Sequence, residues 1–183
     1  LHDYGRFPQG KEYKTFNDRK SVDHAELGAK ILFDEGEIKK YRLATEDYDI
    51  VKKAIRNHNK YEMEDNLTVK EKLHCKIIRD ADKLDILYSF SNPRIFEIKI
   101  DDSDISDIVK EEFKKHKLIK KEDVKTASDK IILYLSFVFD LNYDYSKQTI
   151  LEKGYYDKIL EHIKDKDKFK PYFDEAKKYL KGE

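Results

Sequence analysis

The stretch TVKEKLHCKIIRDADKLDILYSF, residues 68–90, decides the fold because it predicts one long helix in the middle of the chain. Thr68 and Glu71 have the spacing of a capping box, in which each side chain accepts a hydrogen bond from the backbone N–H of the other residue. Pro93 follows the stretch, and the residue before a proline is disfavoured in helical conformation. The sequence therefore predicts a helix that begins after Thr68 and ends before Pro93.

Charged residues lie unusually close to the apolar stripe of this predicted helix. Asp82 lies four residues after an apolar position and should point partly inward, with Asp85 near the same face. Because an unpartnered buried carboxylate is costly, we expect Asp82 to meet a cation, which a metal ion would supply. Arg79 and Lys83 flank it and could bind a phosphate, whereas Asp80 is interpreted as part of a surface salt-bridge cluster. The apolar positions that follow helical spacing are Ile77, Ile78, Ala81, Leu84 and Leu87.

The residues before this helix also favour helices, since the 183 residues contain only 6 Gly and 3 Pro. Ser21 is a candidate N-cap for a helix that runs to about Phe33 and ends near Gly36. Thr45 is a candidate N-cap for the next helix. The polar segment 7–20, with its Pro and Gly, predicts a loop.

The residues after the long helix predict an all-α continuation. The segment FEIKI at 96–100 could be a short extended piece, and helices are then predicted at about 104–117, 121–140, 146–151, 154–164 and 169–181. The sequence thus predicts an all-α bundle. Residues 1–92 would form its motif-bearing core, and residues 93–183 a helical extension packed on that core.

Composition excludes several functional classes. Lys and Arg total 38, as do Asp and Glu, and a chain without basic excess is not a general nucleic-acid binder. The single cysteine, Cys75, excludes an internal disulfide framework and fits a reducing cytosol. No apolar run approaches the roughly 20 residues of a membrane span, and the longest, IILYLSFVF at 131–139, is interpreted as a buried helix. No signal peptide is recognised, so we expect a cytoplasmic location.

Residues of metal-ligand type gather in the front half of the chain, namely His2, Asp3, His24, His58 and Asp82. They come from separate segments, which suits a site in the core of a helical bundle. His24 lies near the start of its predicted helix, where the helix dipole helps to keep an imidazole neutral. Imidazole and carboxylate donors together favour borderline or hard divalent metals over a thiolate site.

Each of these residues also has a purely structural interpretation. His2 and Asp3 could belong to a frayed terminus, and His24 could be a hydrogen-bonded core histidine. His58 could be favoured at a helix C-terminus by the dipole, and Asp82 could pair with Arg79 or Lys83. The metal site is therefore indicated by the combination of residues in this order, and by no single member.

The segments LHDYGRF, DHAELGAKIL, NHNKY and RDADKLDIL, in this order and spacing, resemble the HD-domain metal-dependent phosphohydrolases. The resemblance covers roughly residues 1–92 and extends to small bacterial HD proteins of unassigned substrate, which FVFDLNY in the back half also resembles. It implies an HD-domain helical bundle with additional C-terminal helices. The first histidine of that family lies on a helix upstream of the HD pair. We therefore expect this chain to lack the usual N-terminal helix and its ligand.

The resemblance also implies roles for individual residues. His2 and Asp3 match the central pair of the family, Asp82 matches its distant Asp, and His24 and His58 match the extra histidines of branches that hold two metals. Lys83 matches a position that contacts substrate phosphate in some relatives. Asp3, Lys83 and Arg79 are accordingly the expected catalytic residues, and Arg6 could also hold the phosphate.

The function implied by the resemblance is metal-dependent hydrolysis of a phosphate ester or anhydride, with a nucleotide as the favoured substrate. The implied cofactor is one or two divalent ions per chain, drawn from Mn, Fe, Co, Ni, Zn and Mg. Two alternatives stay open, so the chain need not be an enzyme. One is a di-iron oxygenase on the HD scaffold, and the other is a catalytically incomplete HD module that binds a metal or a nucleotide. The expected partner is a small phosphorylated molecule, with no membrane and no nucleic acid.

Overall fold

The computed structural model describes residues 1–95 and 102–183, and within these residues helix is the only regular secondary structure. This confirms the predicted all-α class. The extended piece predicted at 96–100 lies outside the described residues. None of the described helices combines the length and the apolar character that crossing a membrane requires. The chain divides into two compact units, Leu1–Arg79 and Asp80–Glu183, and the division predicted after residue 92 stays a prediction.

The first unit is built around a small apolar core. Its helices are α1 (Arg6–Tyr13), α2 (His24–Ala29) and α3 (Tyr48–Asn57), and α4 (Val69–Phe90) begins in this unit and ends in the second. A π-helical turn continues α2, and short 3-10 turns fill several connections. Four fully buried residues, Ala29, Leu32, Ile38 and Ile55, form its centre, and partly buried apolar side chains pack against them. A core of this size leaves much of the unit to be held by hydrogen bonds.

Helix α1 occupies part of the segment 7–20 that the sequence predicted as a loop, so that prediction was wrong for residues 7–13. Pro8 is the third residue of α1. The first four N–H groups of a helix have no partner inside it, so a proline there removes no hydrogen bond. Gly10 faces the ring of Phe16, which a Cβ at this position would approach to 2.7 Å. The Pro and Gly that indicated a loop are therefore compatible with this short helix.

The start of α2 also differs from the prediction. Asp23, and not Ser21, is the N-cap, and its Oδ1 accepts hydrogen bonds from the N–H groups of Ala25 (2.8 Å) and Glu26 (3.2 Å). The hydroxyl of Ser21 instead donates to the Asn17 carbonyl. As a result His24 is the first residue of the helix and lies beside its N-terminal N–H groups.

The long helix α4 has the predicted ends but not the predicted face. The capping box is present, since Thr68 N–H donates to Glu71 Oε2 (2.7 Å) and Glu71 N–H donates to Thr68 Oγ1 (3.3 Å). However, Ile77 is 49% exposed and Ala81 is also exposed. Four of the seven buried residues of α4 are charged. The seven are Glu71, Cys75, Arg79, Asp80, Lys83, Leu87 and Phe90. The buried face of α4 therefore contains charged side chains that are bonded to other parts of the protein, as well as apolar side chains.

The second unit has a large apolar and aromatic core. Its helices are α5 (Asp107–Lys114), α6 (Ala127–Leu135), α7 (Asp144–Lys153), α8 (Tyr155–Glu161) and α9 (Lys166–Lys181), close to the predicted positions. The stretch 131–139 is buried along most of its length, as predicted, and passes from α6 into a 3-10 turn at Ser136–Asp140. Fully buried Tyr156 donates its hydroxyl to the Leu135 carbonyl at 2.9 Å.

A buried carboxylate holds the start of α6. Asp129 is fully buried and accepts four hydrogen bonds, from the N–H and the hydroxyl of Ser106 (both 2.7 Å) and from the N–H groups of Lys125 (2.9 Å) and Thr126 (3.1 Å). Burial raises the pKa of this carboxyl, but the hydrogen bonds from Ser106, Lys125 and Thr126 outweigh burial and lower it below its usual value. Asp129 therefore ties the segment before α5 to the start of α6.

Replacing Asp129 with Asn should destabilise the second unit by roughly 2–4 kcal/mol, because an amide cannot accept all four bonds and leaves buried donors unsatisfied. The stabilisation that ionised Asp129 gives to the folded unit is fully present above the pKa of about 4 that this carboxyl has in the unfolded chain. It is lost as the pH falls through the lower pKa of the folded state. Urea unfolding of both proteins between about pH 7 and pH 3 should therefore show a difference that shrinks at acid pH.

Asp165→Asn is the matched control for this change. Asp165 is an exposed N-cap of α9 whose Oδ1 accepts from Lys168 N–H at 3.3 Å. Because Asn caps a helix about as well as Asp, the control should cost less than about 0.5 kcal/mol. Equal losses in the two variants would contradict the role assigned to Asp129.

Candidate metal centre

Four of the five predicted ligands meet within the first unit, where three stretches of chain converge. His2 and Asp3 precede α1, His24 opens α2, and His58 directly follows α3. The His24 Nε2 lies 3.0 Å from the His58 Nε2 and 3.1 Å from Asp3 Oδ1, and the His58 Nε2 lies 3.8 Å from that oxygen. His24 and His58 are buried, whereas half of the Asp3 side chain is exposed.

His2 extends this group on the other side of the Asp3 carboxylate. Its Nε2 lies 3.5 Å from Asp3 Oδ2, and its ring centroid lies 5.0 Å from that of His58. One ligand atom from each of His2, Asp3 and His58 lies within 4.8 Å of the other two. Asp3 therefore belongs to two overlapping sets of donors, with Oδ1 facing His24 and His58 and Oδ2 facing His2.

A close contact between two backbones positions Asp3. A Cβ added to Gly5 would lie 2.0 Å from the carbonyl oxygen of His24 and 2.7 Å from the nitrogen of Gly28. A Cβ added to Gly28 would lie 2.9 Å from the Gly5 nitrogen. Only glycine permits so close an approach. Because Asp3 is two residues before Gly5, this contact brings its carboxylate to the ring of His24.

Hydrogen bonds at the far side of each ring define which nitrogen of His24 and His58 carries a proton. The His24 Nδ1 lies 3.0 and 2.9 Å from the two oxygens of Asp18, and the His58 Nδ1 lies 2.6 Å from the Ile55 carbonyl. Carboxylate and carbonyl oxygens only accept, so both Nδ1 atoms must donate. In the neutral rings, the two Nε2 atoms then present lone pairs to one another, and either a proton or a metal ion between them offsets their repulsion.

The donor set fits a divalent metal ion. A nitrogen ligand lies about 2.0–2.1 Å from zinc, so two ligand nitrogens of one ion are roughly 3.0–3.4 Å apart. The two Nε2 atoms are 3.0 Å apart and share Asp3 Oδ1 as a neighbour. Imidazole nitrogen with carboxylate oxygen is the donor combination of borderline and hard divalent ions.

The pKa values of Asp3 and His24 are both shifted by their neighbours in the site. Burial raises the pKa of the Asp3 carboxyl, but the hydrogen bond with His24 and the neighbouring His2, His24 and His58 lower it to about 2. Burial lowers the pKa of His24, but its hydrogen bonds to Asp18 and Asp3 outweigh burial and raise it. Asp3 is therefore ionised at neutral pH, and metal binding competes with a proton at His24.

Asp18 is a functional candidate that the sequence did not indicate. It lies in the segment that the sequence predicted as a loop, and no motif places a carboxylate six residues before a ligand histidine. It does not contact the other candidate ligands in the described contacts, but it contacts the ring of His24. Only the fold of the connection between α1 and α2 brings it there.

Asp82 and Lys83 fall in the second unit. Asp82 is a half-buried residue of α4, and its role as a metal ligand stays a prediction. Lys83 is buried, and its Nζ lies 2.8 Å from Asp140 Oδ2. Asp80 is 2% exposed, so its interpretation as a surface residue was wrong. Its carboxylate accepts from the N–H groups of Asn142 and Tyr143 at 3.0 Å, so α4 is tied to the segment 140–143.

Arg79 is 2% exposed, and its guanidinium donates to three backbone carbonyls at the end of α3 and just after it. These are the carbonyls of Asn57 (3.0 Å), Lys60 (2.5 Å) and Tyr61 (3.1 Å). The arginine thereby fixes the chain on both sides of His58. Its predicted role as a phosphate ligand stays a prediction, and so does that of Lys83.

Comparison with known proteins gives one finding on the same part of the chain. The family model of the HD domain matches residues 1–87. This range contains all five predicted ligands. Neither the search of curated proteins nor the search of solved structures gives a significant match.

Replacing Gly5 with Ala should destabilise the first unit by about 1–3 kcal/mol, because the added methyl would meet the backbone of α2. The same displacement separates Asp3 from His24 and should weaken binding of Co²⁺. Thermal unfolding and titration with Co²⁺ measure the two effects. Gly10→Ala in the helix that Gly5 caps is the control, since the three atoms nearest to its Cβ belong to the Phe16 ring, which is 66% exposed and can move. A Gly5→Ala variant that matches the control in both measurements would refute the role of this contact.

Replacing Arg79 with Met should lower the free energy of unfolding by about 3 kcal/mol or more, because three carbonyls lose a charged donor in a buried place. Urea unfolding measures this loss. The control is Arg56→Met, since Arg56 pairs with Glu26 at 2.7 Å near the surface of the same unit and such pairs contribute at most about 1 kcal/mol. If Arg79→Met unfolds like the control, the carbonyl contacts do not stabilise the unit as inferred.

Proposed function

We propose that the protein is a metal-dependent phosphohydrolase, since the family model of the HD domain matches residues 1–87. It would cleave a phosphate ester or anhydride, with a nucleotide as the substrate. The observation that carries the proposal is the pair of buried histidines whose Nε2 atoms lie 3.0 Å apart beside Asp3. Both rings donate through Nδ1 to fixed acceptors, so the arrangement suits a divalent cation.

The residues that would hold the metal form two overlapping sets. His24, His58 and Asp3 would hold one ion, and His2 with Asp3 would take part in holding a second. When bound, such an ion lowers the pKa of a coordinated water and offsets charge on the phosphoryl oxygens. The pKa of about 2 keeps Asp3 ionised and ready to bind over the whole physiological pH range.

Arg6 supplies the cation next to the donors and is the residue to which we assign phosphate binding. Its Nε lies 3.6 Å from Asp3 Oδ1, and 29% of its side chain is exposed. Its Nη1 donates to the Phe16 carbonyl at 2.7 Å and to Asp18 at 2.9 Å, which fixes the guanidinium in place. A planar guanidinium held in this way is suited to binding phosphate oxygens. Arg79 and Lys83, which the sequence favoured for this role, are both buried and engaged with the protein itself.

The choice of a phosphate substrate is supported by the family, and the choice of a nucleotide by the resemblance of the four sequence motifs. The experiment is therefore a panel of nucleotides and simple phosphate esters, assayed with the purified protein and added Mn²⁺ or Co²⁺. The metal bound to the protein as purified is measured in parallel. We expect release of phosphate or pyrophosphate that depends on the added metal.

His24→Ala and His58→Ala should each lower this activity by about 100-fold or more, since losing a metal ligand removes several kcal/mol of transition-state stabilisation. His162→Ala, at an exposed histidine of the second unit, should leave it unchanged. Bound iron with an oxygen-dependent spectrum and no phosphate release would replace the proposal with the di-iron oxygenase. Metal binding without turnover of any substrate would replace it with a binding module.

A further inference from the structure

Asp18 occupies the outer side of the candidate metal centre. Its two carboxylate oxygens lie 3.0 and 2.9 Å from the Nδ1 of His24, the ring nitrogen that points away from His58 and Asp3. The His24 ring is buried, and 22% of the Asp18 side chain is exposed. The contact is thus a short, partly shielded hydrogen bond to a ring whose other nitrogen faces the donors.

The carboxylate of Asp18 is itself fixed by two donors. Gln9 is fully buried, and its Nε2 lies 2.8 Å from Asp18 Oδ1, 3.0 Å from the Ser21 hydroxyl and 2.8 Å from the Val22 carbonyl. The Nη1 of Arg6 donates to the same Oδ1 at 2.9 Å. With Oδ1 occupied by these donors, Oδ2 is left to accept from the ring of His24.

We propose that Asp18 is a positioning residue for metal binding, which sets the tautomer and orientation of His24. By accepting the Nδ1 proton, it leaves the Nε2 lone pair directed towards Asp3 and His58. The inference rests on the proposed function, because it specifies how the same site is prepared for its metal. Carboxylates that accept from a ligand histidine raise its basicity and hold its ring, and their removal costs about 10–100-fold in metal affinity.

The Asp18→Asn variant tests this directly, because its physical effect on the tautomer is defined. Arg6 and Gln9 are both donors to Oδ1, so the amide should keep its oxygen at that position and turn its NH₂ group towards His24. That group would donate to Nδ1 and leave the proton of a neutral ring on Nε2. The nitrogen that faces Asp3 and His58 would then lack a free lone pair.

Two measurements are needed. Nitrogen NMR of the metal-free protein at mildly alkaline pH identifies the tautomer of His24, and it should report a proton on Nδ1 in the wild type and on Nε2 in Asp18→Asn. Calorimetric titration with Co²⁺ alone should show affinity about 10–100-fold weaker in Asp18→Asn than in the wild type. The NMR measurement on the wild type stands even if the variant fails to fold.

Asp23→Asn is the matched control. Asp23 is an equivalent carboxylate directly before His24, but it caps α2 and contacts Asn59 rather than the His24 ring. Because Asn is also a good N-cap, this variant should keep the wild-type tautomer and Co²⁺ affinity. Both variants remove one negative charge near α2. If only Asp18→Asn changes the tautomer of His24, the change comes from the contact of Asp18 with the ring and not from the lost charge.

The outcomes separate this inference from the proposed function. A wild-type ring protonated on Nε2, or an Asp18→Asn variant with wild-type tautomer and Co²⁺ affinity, would overturn the positioning role while metal-dependent hydrolysis could still be observed. If the wild type does not bind Co²⁺, Mn²⁺ or another divalent ion, the proposed function fails. The tautomer change between the wild type and Asp18→Asn would still support the effect of Asp18 on the ring.

Discussion

The backbone contact between Gly5 and Gly28 is the constraint on which the candidate metal centre depends. The two helices approach so closely that a methyl group at Gly5 would overlap the carbonyl oxygen of His24. Asp3 and His24 belong to separate stretches, and their side chains meet at 3.1 Å because these backbones touch. The small apolar core of the first unit therefore has to hold α1 against α2, and glycine at both positions is what permits it.

Charge explains why the buried histidines are arranged as they are. His24 has carboxylate oxygens near both ring nitrogens, from Asp18 on one side and Asp3 on the other. A neutral imidazole has one proton to donate and cannot satisfy both. The site therefore takes up a proton or a metal ion at the inner nitrogen, and the His58 Nε2 at 3.0 Å adds a second donor to the same point.

Helix α4 shows where sequence periodicity stops being informative. Its ends followed from the capping box and from Pro93, but its buried face did not follow from its apolar residues. Arg79 is buried because three carbonyls of the segment 57–61 accept from it, and Asp80 is buried because N–H groups of Asn142 and Tyr143 donate to it. These partners are 18 or more residues away in the chain, so no local pattern contains them.

The sequence by itself determined the all-α class, the start and end of the longest helix, and a set of metal-ligand residue types, four of which lie close together in the first unit. Helical spacing, capping residues and ligand chemistry are properties of local sequence, which is why they could be identified there. The tertiary structure decided that Asp18 contacts His24, that Arg79 binds backbone carbonyls, and that α1 is a helix packed on α2. These depend on contacts between distant segments, and a hydrogen bond or a close backbone approach forms only after the chain has folded.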